Sequence, residues 1–271
     1  MGMQAVRESL RLAHPIEEVW RAWSDPDWLA GWHAERVEGE VAEGQAIRLT
    51  WDSLGIAIEL EVAELEAPHR LVLRGAPPGR PVQTLSIDLA RIEGGGATSL
   101  EIRHDGFPSG PGGEEERAGT AAGWHTSARV LAHYLDHHAG RARASAAALA
   151  PVAASLADVA PLFERPSWLF GDVALGGEGS RFHGRGAGDR PLAGSVLARA
   201  LPRQIALAID DTAGILVLRA IQLDPGAVLL GALTWSWQPD RPAHADLAGS
   251  LEPALERLVA ALGGAHRGGA A

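Results

Sequence analysis

The sequence predicts an α+β fold in which a curled antiparallel sheet surrounds a long C-terminal helix, and it predicts this arrangement twice. Most segments of the first half alternate apolar and polar residues with a period of two, and a long helical pattern follows them. The same order of strands and then a helix recurs in the second half. The chain of 271 residues also exceeds the roughly 150 residues of one compact domain. We therefore expect domains at residues 1–140 and 141–271.

The first half begins with a strand and two short helices. Alternation over QAVRESLRLA predicts the strand, and Pro15 suits the first turn of the helix PIEEVWRAWSD. Asp25 ends this helix because a residue that precedes proline disfavours the helical conformation. The segment DPDWLAGW then predicts the second helix.

Six further strands and a long helix complete the first half. The strand-like segments are ERVEGEV, QAIRLTWDSL, IAIELEVAELE, HRLVLRGA, PVQTLSIDLARIE and ATSLEIRHDGF. The polar break PSGPGGEEE separates them from ERAGTAAGWHTSARVLAHYLDHH, an amphipathic helix in which Trp124, Ala128, Leu131 and Leu135 share one face. This order describes a sheet that grips a helix, with a cavity between the two.

The second half repeats the pattern in a degenerate form. Residues 141–163, RARASAAALAPVAASLADVAPLF, predict a linker that runs into a helix. Strand-like segments follow as SRFHGRGA, PLAGSVLARAL, RQIALAID, GILVLRAIQL and AVLLGALTWSW, and SLEPALERLVAALGG predicts a closing helix. We expect a second copy of the fold with an extra helix at its start and no counterpart of the first strand.

Composition excludes several classes of function. The chain contains no cysteine and no lysine, so disulfides, thiolate chemistry, lysine-dependent phosphate loops and Schiff-base catalysis are excluded. Acidic residues outnumber arginines by 22 to 12 before residue 141, whereas the two balance at 12 each afterwards. An acidic surface repels phosphate backbones and anionic lipids, so we expect neither nucleic acid nor membrane as a partner. Because the sequence shows no pattern of a secretory signal or a membrane-spanning stretch, we expect a soluble, cytoplasmic protein.

Three further motifs do not predict active sites. The glycine-rich segment 176–190 lacks the lysine and the spacing of a nucleotide-binding loop, and we interpret it as a hairpin. No GxSxG elbow is present, which argues against a serine hydrolase. His133 and His137 stand four residues apart on the long helix, but the dipole at a helix end already accounts for histidines there. We expect no bound metal and no cofactor.

The best candidate site is an apolar pocket between the sheet and the long helix. Trp20 and Trp23 fall on the inward face of the first helix, which leaves Trp28 and Trp32 to cap the pocket. His104 alternates in phase with apolar neighbours and points inward, where it is a core histidine, a polar anchor for a ligand or a general base. The predicted lining comprises Trp28, Trp32, Trp51, Ile58, Leu60, Leu85, Ile87, His104, Phe107, Trp124, Ala128 and Leu131.

The segments AHPIEEVWRAWSDPDWLAGW, TSLEIRHDGFP and GWHTSARVLAHYL resemble bacterial homologues of the C-terminal domain of the heat-shock ATPase activator, within the START-like SRPBCC superfamily. The resemblance covers about residues 5–138. It implies a helix-grip fold with a deep, mainly apolar cavity for hydrophobic small molecules, a link to the stress response and, in some relatives, polyketide cyclisation. The sequence Gly31-Trp32-His33 departs from the paired aromatics that relatives often carry there.

Binding of a hydrophobic small molecule by the first domain is therefore the function we expect. One alternative is a cyclase- or aromatase-like enzyme that uses His104, the single candidate for a catalytic role. The other is an interaction protein whose acidic first domain binds a basic chaperone or regulator.

Overall fold

The structure, a computed structural model, describes residues 5–76, 79–92, 94–171, 173–185 and 191–268. The chain divides into two compact units, residues 1–142 and 143–271, where the sequence placed the boundary after residue 140. Each unit contains one antiparallel sheet and ends in a long helix. The α+β class and the tandem helix-grip architecture are confirmed. No helix in the described part of the chain combines the length and the hydropathy needed to span a bilayer.

The described residues of the first unit form seven strands and three helices. The sheet order is β1-β7-β6-β5-β4-β3-β2, and all neighbouring strands are antiparallel. A single 3₁₀ turn at Asp52–Leu54 joins β3 to β4. The elements are β1 (Val6–Leu12), α1 (Ile16–Ser24), α2 (Pro26–Trp32), β2 (Arg36–Glu38), β3 (Ala46–Trp51), β4 (Ile56–Glu66), β5 (Arg70–Gly75), β6 (Gln83–Arg91), β7 (Thr98–Asp105) and α3 (Pro111–His138).

The junction between α1 and α2 follows the local sequence closely. Asp25 ends α1 in an extended conformation, and its carboxylate caps α2 by accepting hydrogen bonds from the backbone N–H groups of Asp27 (3.0 Å) and Trp28 (3.3 Å). Pro26 then occupies the first helical position, where its missing N–H costs nothing. The two predicted short helices are confirmed.

Helix α3 begins at Pro111, five residues before the start that the sequence predicts at Glu116. Gly112 and Gly113 lie in this first turn. Because glycine disfavours helix interiors, the sequence pattern does not predict a helix there. Gly113 has a packing reason: a Cβ atom at this position would lie 1.8 Å from the carbonyl oxygen of Pro108. The helix therefore starts within the segment that looks like a polar linker.

The core of the first unit lies between the inward face of the sheet and α3. On β6 the predicted lining residues Leu85 and Ile87, together with Leu89, are at most 9% exposed. On α3, Ala128 and Leu131 are fully buried. On β4, Glu59 and Glu61 alternate with the inward residues and are exposed.

Polar contacts also fix α3 and α1 to the edge of the sheet. Glu8 on β1 pairs with Arg129 of α3. His14 bridges Asp136 (Nε2, 2.8 Å) and Glu18 (Nδ1, 3.0 Å). Burial alone would lower the pKa of His14, but the hydrogen bonds and charges of the two carboxylates outweigh it and raise the pKa above its ordinary value.

The second unit repeats this arrangement with one strand fewer. Its sheet order, β8-β13-β12-β11-β10-β9, matches that of the first sheet because the first strand pairs with the last and the others follow in reverse. The elements are β8 (Ala144–Val152), α4 (Leu156–Glu164), β9 (Arg181–Arg185), β10 (Pro191–Ala200), β11 (Gln204–Ile209), β12 (Gly214–Asp224), β13 (Ala227–Ser236) and α5 (Pro242–Gly268).

The expectation that the second unit lacks the first strand is wrong. Residues 144–152, predicted as a linker, form β8 and pair along their whole length with β13. Alanine carries no strand signal, so pairing with β13 rather than local preference makes this segment a strand. Pro151 is tolerated because β8 lies at the edge of the sheet. The helix predicted to follow is present as α4.

Two further predictions for the second unit have clear outcomes. The glycine-rich segment is a hairpin, since β9 and β10 are antiparallel and Arg185 faces Pro191; residues 186–190 lie outside the described residues. Helix α5 begins at Pro242, eight residues before the predicted start at Ser250.

Candidate functional site

The β3–β4 end of the first sheet leaves apolar side chains uncovered on its inward face. Ile56 and Ile58 on β4 are 45% and 41% exposed. They lie directly opposite Trp51 and Leu49 on β3, and opposed residues share one face of a sheet. Leu49 is buried in the core, so this face is the inward one. This end of the sheet is therefore not fully covered, and an apolar surface around Ile56 and Ile58 remains accessible.

An aromatic cluster borders this surface. The His33 ring stacks on Trp124 with centroids 5.5 Å apart and an interplanar angle of 13°. The Trp51 ring meets His33 edge-on at 5.4 Å, and Trp51 Nε1 donates a hydrogen bond to the His33 carbonyl oxygen (2.9 Å). The half-buried Trp51 thus joins the end of β3 to the end of α2.

Two more tryptophans form the inner layer of this cluster. Trp23 and Trp32 are each 1% exposed and pack edge-to-face at 4.8 Å. Trp32 Nε1 donates to the Ala22 carbonyl oxygen (2.8 Å), whereas Trp23 Nε1 is buried and makes no hydrogen bond with the described residues. Trp20, predicted as core with Trp23, is only half-buried.

A chain of polar side chains starts at the aromatic cluster. Trp124 Nε1 donates to His104 Nδ1 (3.1 Å), and His104 Nε2 lies 3.2 Å from Gln83 Oε1. Gln83 Nε2 donates to Glu116 Oε1 (2.6 Å), and Arg80 donates to the other oxygen of this carboxylate (2.7 Å). The chain links α3, β7, β6 and the loop before β6.

These partners fix the protonation of His104. An indole N–H can only donate, so Nδ1 must be the unprotonated acceptor and Nε2 carries the proton that Gln83 accepts. Burial lowers the pKa of His104 below its ordinary value, although the charges of Asp105 and Glu116 act in the opposite direction. The imidazole is therefore neutral at pH 7, and its only lone pair is engaged.

The other residues predicted to line the pocket lie beside His104, near Gly75 or in the packed core. Phe107 is buried with its ring 5.1 Å from His104, and Leu60 is half-buried against the backbone of Gly75. Leu85 lies opposite His104 across β6 and β7. Ile87, Ala128 and Leu131 are fully buried and belong to the packed core beneath the open surface.

Trp28 is not brought to this cluster. Its ring packs edge-on against Tyr134 at 6.1 Å, and the Arg21 guanidinium lies 4.6 Å above it. Gly140 also approaches the indole, because a Cβ atom there would lie 3.5 Å from it. Trp28 thus packs α2 against the C-terminal end of α3, away from the His33–Trp124 stack.

Sequence reasoning missed Gln83 and Glu116 and noted His33 only as a departure from relatives. The strand pattern could have placed Gln83 on the inward face, because it alternates in phase with Leu85. Glu116 precedes Trp124 by two steps of four residues, which places it about two helical turns away on the same side of α3. Neither signal reveals the hydrogen bond between the two side chains, because that contact depends on how α3 lies over the sheet.

Three histidines lie together at the end of α3. The ring centroids of His133 and His137 are 4.8 Å apart, and those of His133 and His138 are 5.3 Å apart. Burial, followed by neighbouring positive charge, lowers the pKa of His133 and of His138 to about 4. No group of three or more His, Cys, Asp or Glu side chains in the described part of the chain is arranged to hold a metal. The absence of a metal stays a prediction.

The second unit does not repeat the polar chain. At the inward pair comparable to Leu85 and His104, β12 and β13 carry Leu216 opposite Thr234. Thr234 is fully buried, and its hydroxyl donates to the Ile215 carbonyl oxygen (2.9 Å). This hydroxyl is satisfied by the sheet itself, so the two units differ in the chemistry of this position.

Comparison with known families bears on the first unit. Residues 13–136 match the model of the family described as "Activator of Hsp90 ATPase homolog 1-like protein". The first unit therefore contains an activator-like domain that is similar to this family over residues 13–136, which are less than half of the chain. The match covers α1, α2, the strands of the sheet after β1 and nearly all of α3, so the resemblance seen in the sequence is confirmed for the activator-like domain.

Several solved structures resemble parts of the chain or nearly all of it. A Mesorhizobium loti protein is 21% identical over 50% of this chain and 98% of its own, with a TM-score of 0.45. DynU16, from the dynemicin biosynthetic locus, is 21% identical over 95% of this chain and 98% of its own (TM-score 0.44). The Aha1 dimer from Colwellia psychrerythraea is 17% identical over 49% and 96% (TM-score 0.44). No curated protein matched the chain.

Proposed function

We propose that the activator-like domain binds a hydrophobic small molecule on the exposed apolar surface beside the His33–Trp124 stack. The observation that carries this proposal is the exposure of Ile56 and Ile58 on the inward face of the sheet. Large apolar side chains that stay exposed on the inward face of a sheet can be covered by an apolar ligand.

The energetics favour a modest affinity. Burying about 200 Å² of apolar ligand surface at about 25 cal/mol per Å² contributes on the order of 5 kcal/mol before the cost of association is subtracted. The neighbouring aromatic rings add shape rather than charge, so we expect broad selectivity for the apolar body of the ligand. We expect dissociation constants in the micromolar range or weaker.

The hydrogen bonds of His104 argue against the cyclase alternative. A general base needs a free lone pair within reach of the substrate, and the lone pair on Nδ1 accepts the indole N–H of Trp124. The role that this geometry supports for His104 is a link in the polar chain at the edge of the apolar surface. Binding of a basic chaperone or regulator by the acidic first unit stays a prediction.

The test uses the uncharged fluorescent probe N-phenyl-1-naphthylamine and the full chain. We expect the emission of the probe to rise on binding, and Ile58→Glu to weaken binding at least tenfold because it places a charge on the apolar surface. The matched control is Ala57→Glu, which puts the same charge on the opposite face of β4 one residue away. Thermal melts of both variants report folding. Equal affinity in parent, Ile58→Glu and Ala57→Glu would contradict the proposed site.

A further inference from the structure

Apart from the exposed guanidinium of Arg80, which keeps further donor N–H groups, the polar chain has more acceptor than donor capacity to spare. Three donors already form hydrogen bonds within the polar chain: the N–H of Trp124, the N–H of His104 and one N–H of Gln83. Amide and carboxylate oxygens each accept two hydrogen bonds. Gln83 Oε1 and the two oxygens of Glu116 each accept one bond here, so three acceptor positions remain against one unspent N–H of Gln83.

The position of these acceptors makes them accessible. Gln83 lies on the inward face of β6 opposite Gly75, where the side chain of Leu60 packs beside the glycine, and Gln83 remains partly exposed. The side chain of Glu116 retains 26% of its exposure. Both residues are therefore half-buried beside the aromatic cluster, where a ligand resting on the apolar surface can reach them.

The ion pair between Arg80 and Glu116 favours an uncharged ligand group over an anionic one. Arg80 neutralises Glu116, so the carboxylate can accept a hydrogen bond from an uncharged group without leaving an unpaired charge. An anionic ligand group would instead be desolvated next to a carboxylate, which costs free energy.

We infer that the site selects aromatic ligands that carry a hydroxyl group, with the ring on the apolar surface and the hydroxyl donating to Gln83 Oε1 or Glu116. This inference rests on the proposed function and adds the chemical class of the ligand. Glu116 is the specificity-determining residue, because a charged acceptor rewards a phenolic donor more than a neutral acceptor does.

Displacement of N-phenyl-1-naphthylamine by three ligands with the same ring system tests the inference. 2-Naphthol donates a hydrogen bond, 2-methoxynaphthalene can only accept one, and 2-naphthoate is an anion at pH 7. We expect 2-naphthol to bind at least fivefold more tightly than 2-methoxynaphthalene, and 2-naphthoate to bind most weakly.

A pair of variants on α3 separates specificity from folding. Glu116→Gln should reduce the preference for 2-naphthol over 2-methoxynaphthalene at least threefold, since both ligands share the ring system and a general loosening affects them alike. The control Glu114→Gln removes an exposed carboxylate two residues away and should leave the preference unchanged.

Any other result of the displacement experiment contradicts the inference, and each result points to a different cause. Tighter binding of 2-methoxynaphthalene would indicate that the buried N–H of Trp23 is the anchor. Tightest binding of 2-naphthoate would indicate Arg117, which lies on the Trp124 face of α3 and makes no ion pair with the described residues. Binding of the probe without any preference, or a preference unchanged in Glu116→Gln, overturns the inference alone. Failure of the probe itself to bind would overturn the proposed function as well.

Discussion

His104 shows how hydrogen-bond partners decide what a single residue can do. The strand pattern places it on the inward face and allows a core residue, an anchor or a base. Trp124 and Gln83 then engage both ring nitrogens, and the direction of each bond follows from the donors that indole and amide possess. The residue is consequently a neutral link in a polar chain, and the acceptors at the far end of that chain become the groups available to a ligand.

The histidines at the end of α3 predict a pH dependence of stability. His133 and His138 have pKa values of about 4 in the folded chain, below the ordinary value of 6.5. Between pH 6.5 and 4 the unfolded chain binds more protons, so stability is present above this window and is lost as pH falls through it. Each histidine should contribute a slope of up to about 1.4 kcal/mol per pH unit.

The measurement is urea unfolding of the parent and of His133→Gln at several pH values between 7 and 4. The variant should lose stability less steeply as the pH falls. The difference between the two chains is the informative quantity, because His14 has a raised pKa and contributes a slope of opposite sign. Parallel pH profiles would show that His133 titrates alike in the folded and unfolded chains.

At the scale of elements, α3 organises the first unit. One face packs into the sheet through buried side chains such as Ala128 and Leu131, while its N-terminal turns carry Glu116 to the polar chain. Full burial of Ala128 means that a tryptophan there would overpack the core instead of filling a pocket. The accessible part of the site is the β3–β4 end, and substitutions that probe binding belong on Ile56 and Ile58.

Two glycines of α3 should respond to alanine with opposite signs. Gly119 is exposed with open space around its Cα, so Gly119→Ala should stabilise the fold by about 0.5–1 kcal/mol through helix propensity. Gly113→Ala should destabilise it, because the new Cβ atom would collide with the Pro108 carbonyl oxygen. Chemical denaturation of both variants checks the pair. A stable Gly113→Ala chain would mean that the start of α3 shifts freely.

At the scale of the whole molecule, the two units share a sheet order but not a site. Each has its own core; that of the second unit gathers inward residues of its sheet, such as Leu207, Leu216 and Leu230, with residues of α4 and α5, such as Phe163 and Leu251. The position of His104 is taken by a threonine whose hydroxyl bonds to its own sheet. We therefore assign the proposed ligand site to the first unit.

We predict that residues 1–142 fold without the rest of the chain. This segment contains a complete sheet and the helix that packs on it. The expressed fragment should melt cooperatively, give dispersed amide NMR signals and bind N-phenyl-1-naphthylamine as the full chain does. An unfolded fragment would show that the two halves depend on a shared core.

The sequence by itself determined the class of fold, most elements of the first unit and the inward phase of its strands. Those features depend on local preference and on period-two or helical alternation, which neighbouring residues carry. It also predicted His104, Trp124 and Trp51 as site residues, because aromatic and apolar residues in phase mark an inward face.

Only the tertiary structure decided the rest. The alanine-rich segment 144–152 forms a strand because it pairs with β13. Trp28 lies away from the candidate site because its ring packs against Tyr134. Gln83 and Glu116, 33 residues apart, meet through the placement of α3 over β6. Contacts between residues distant in the chain depend on how whole elements pack, and no local pattern records that packing.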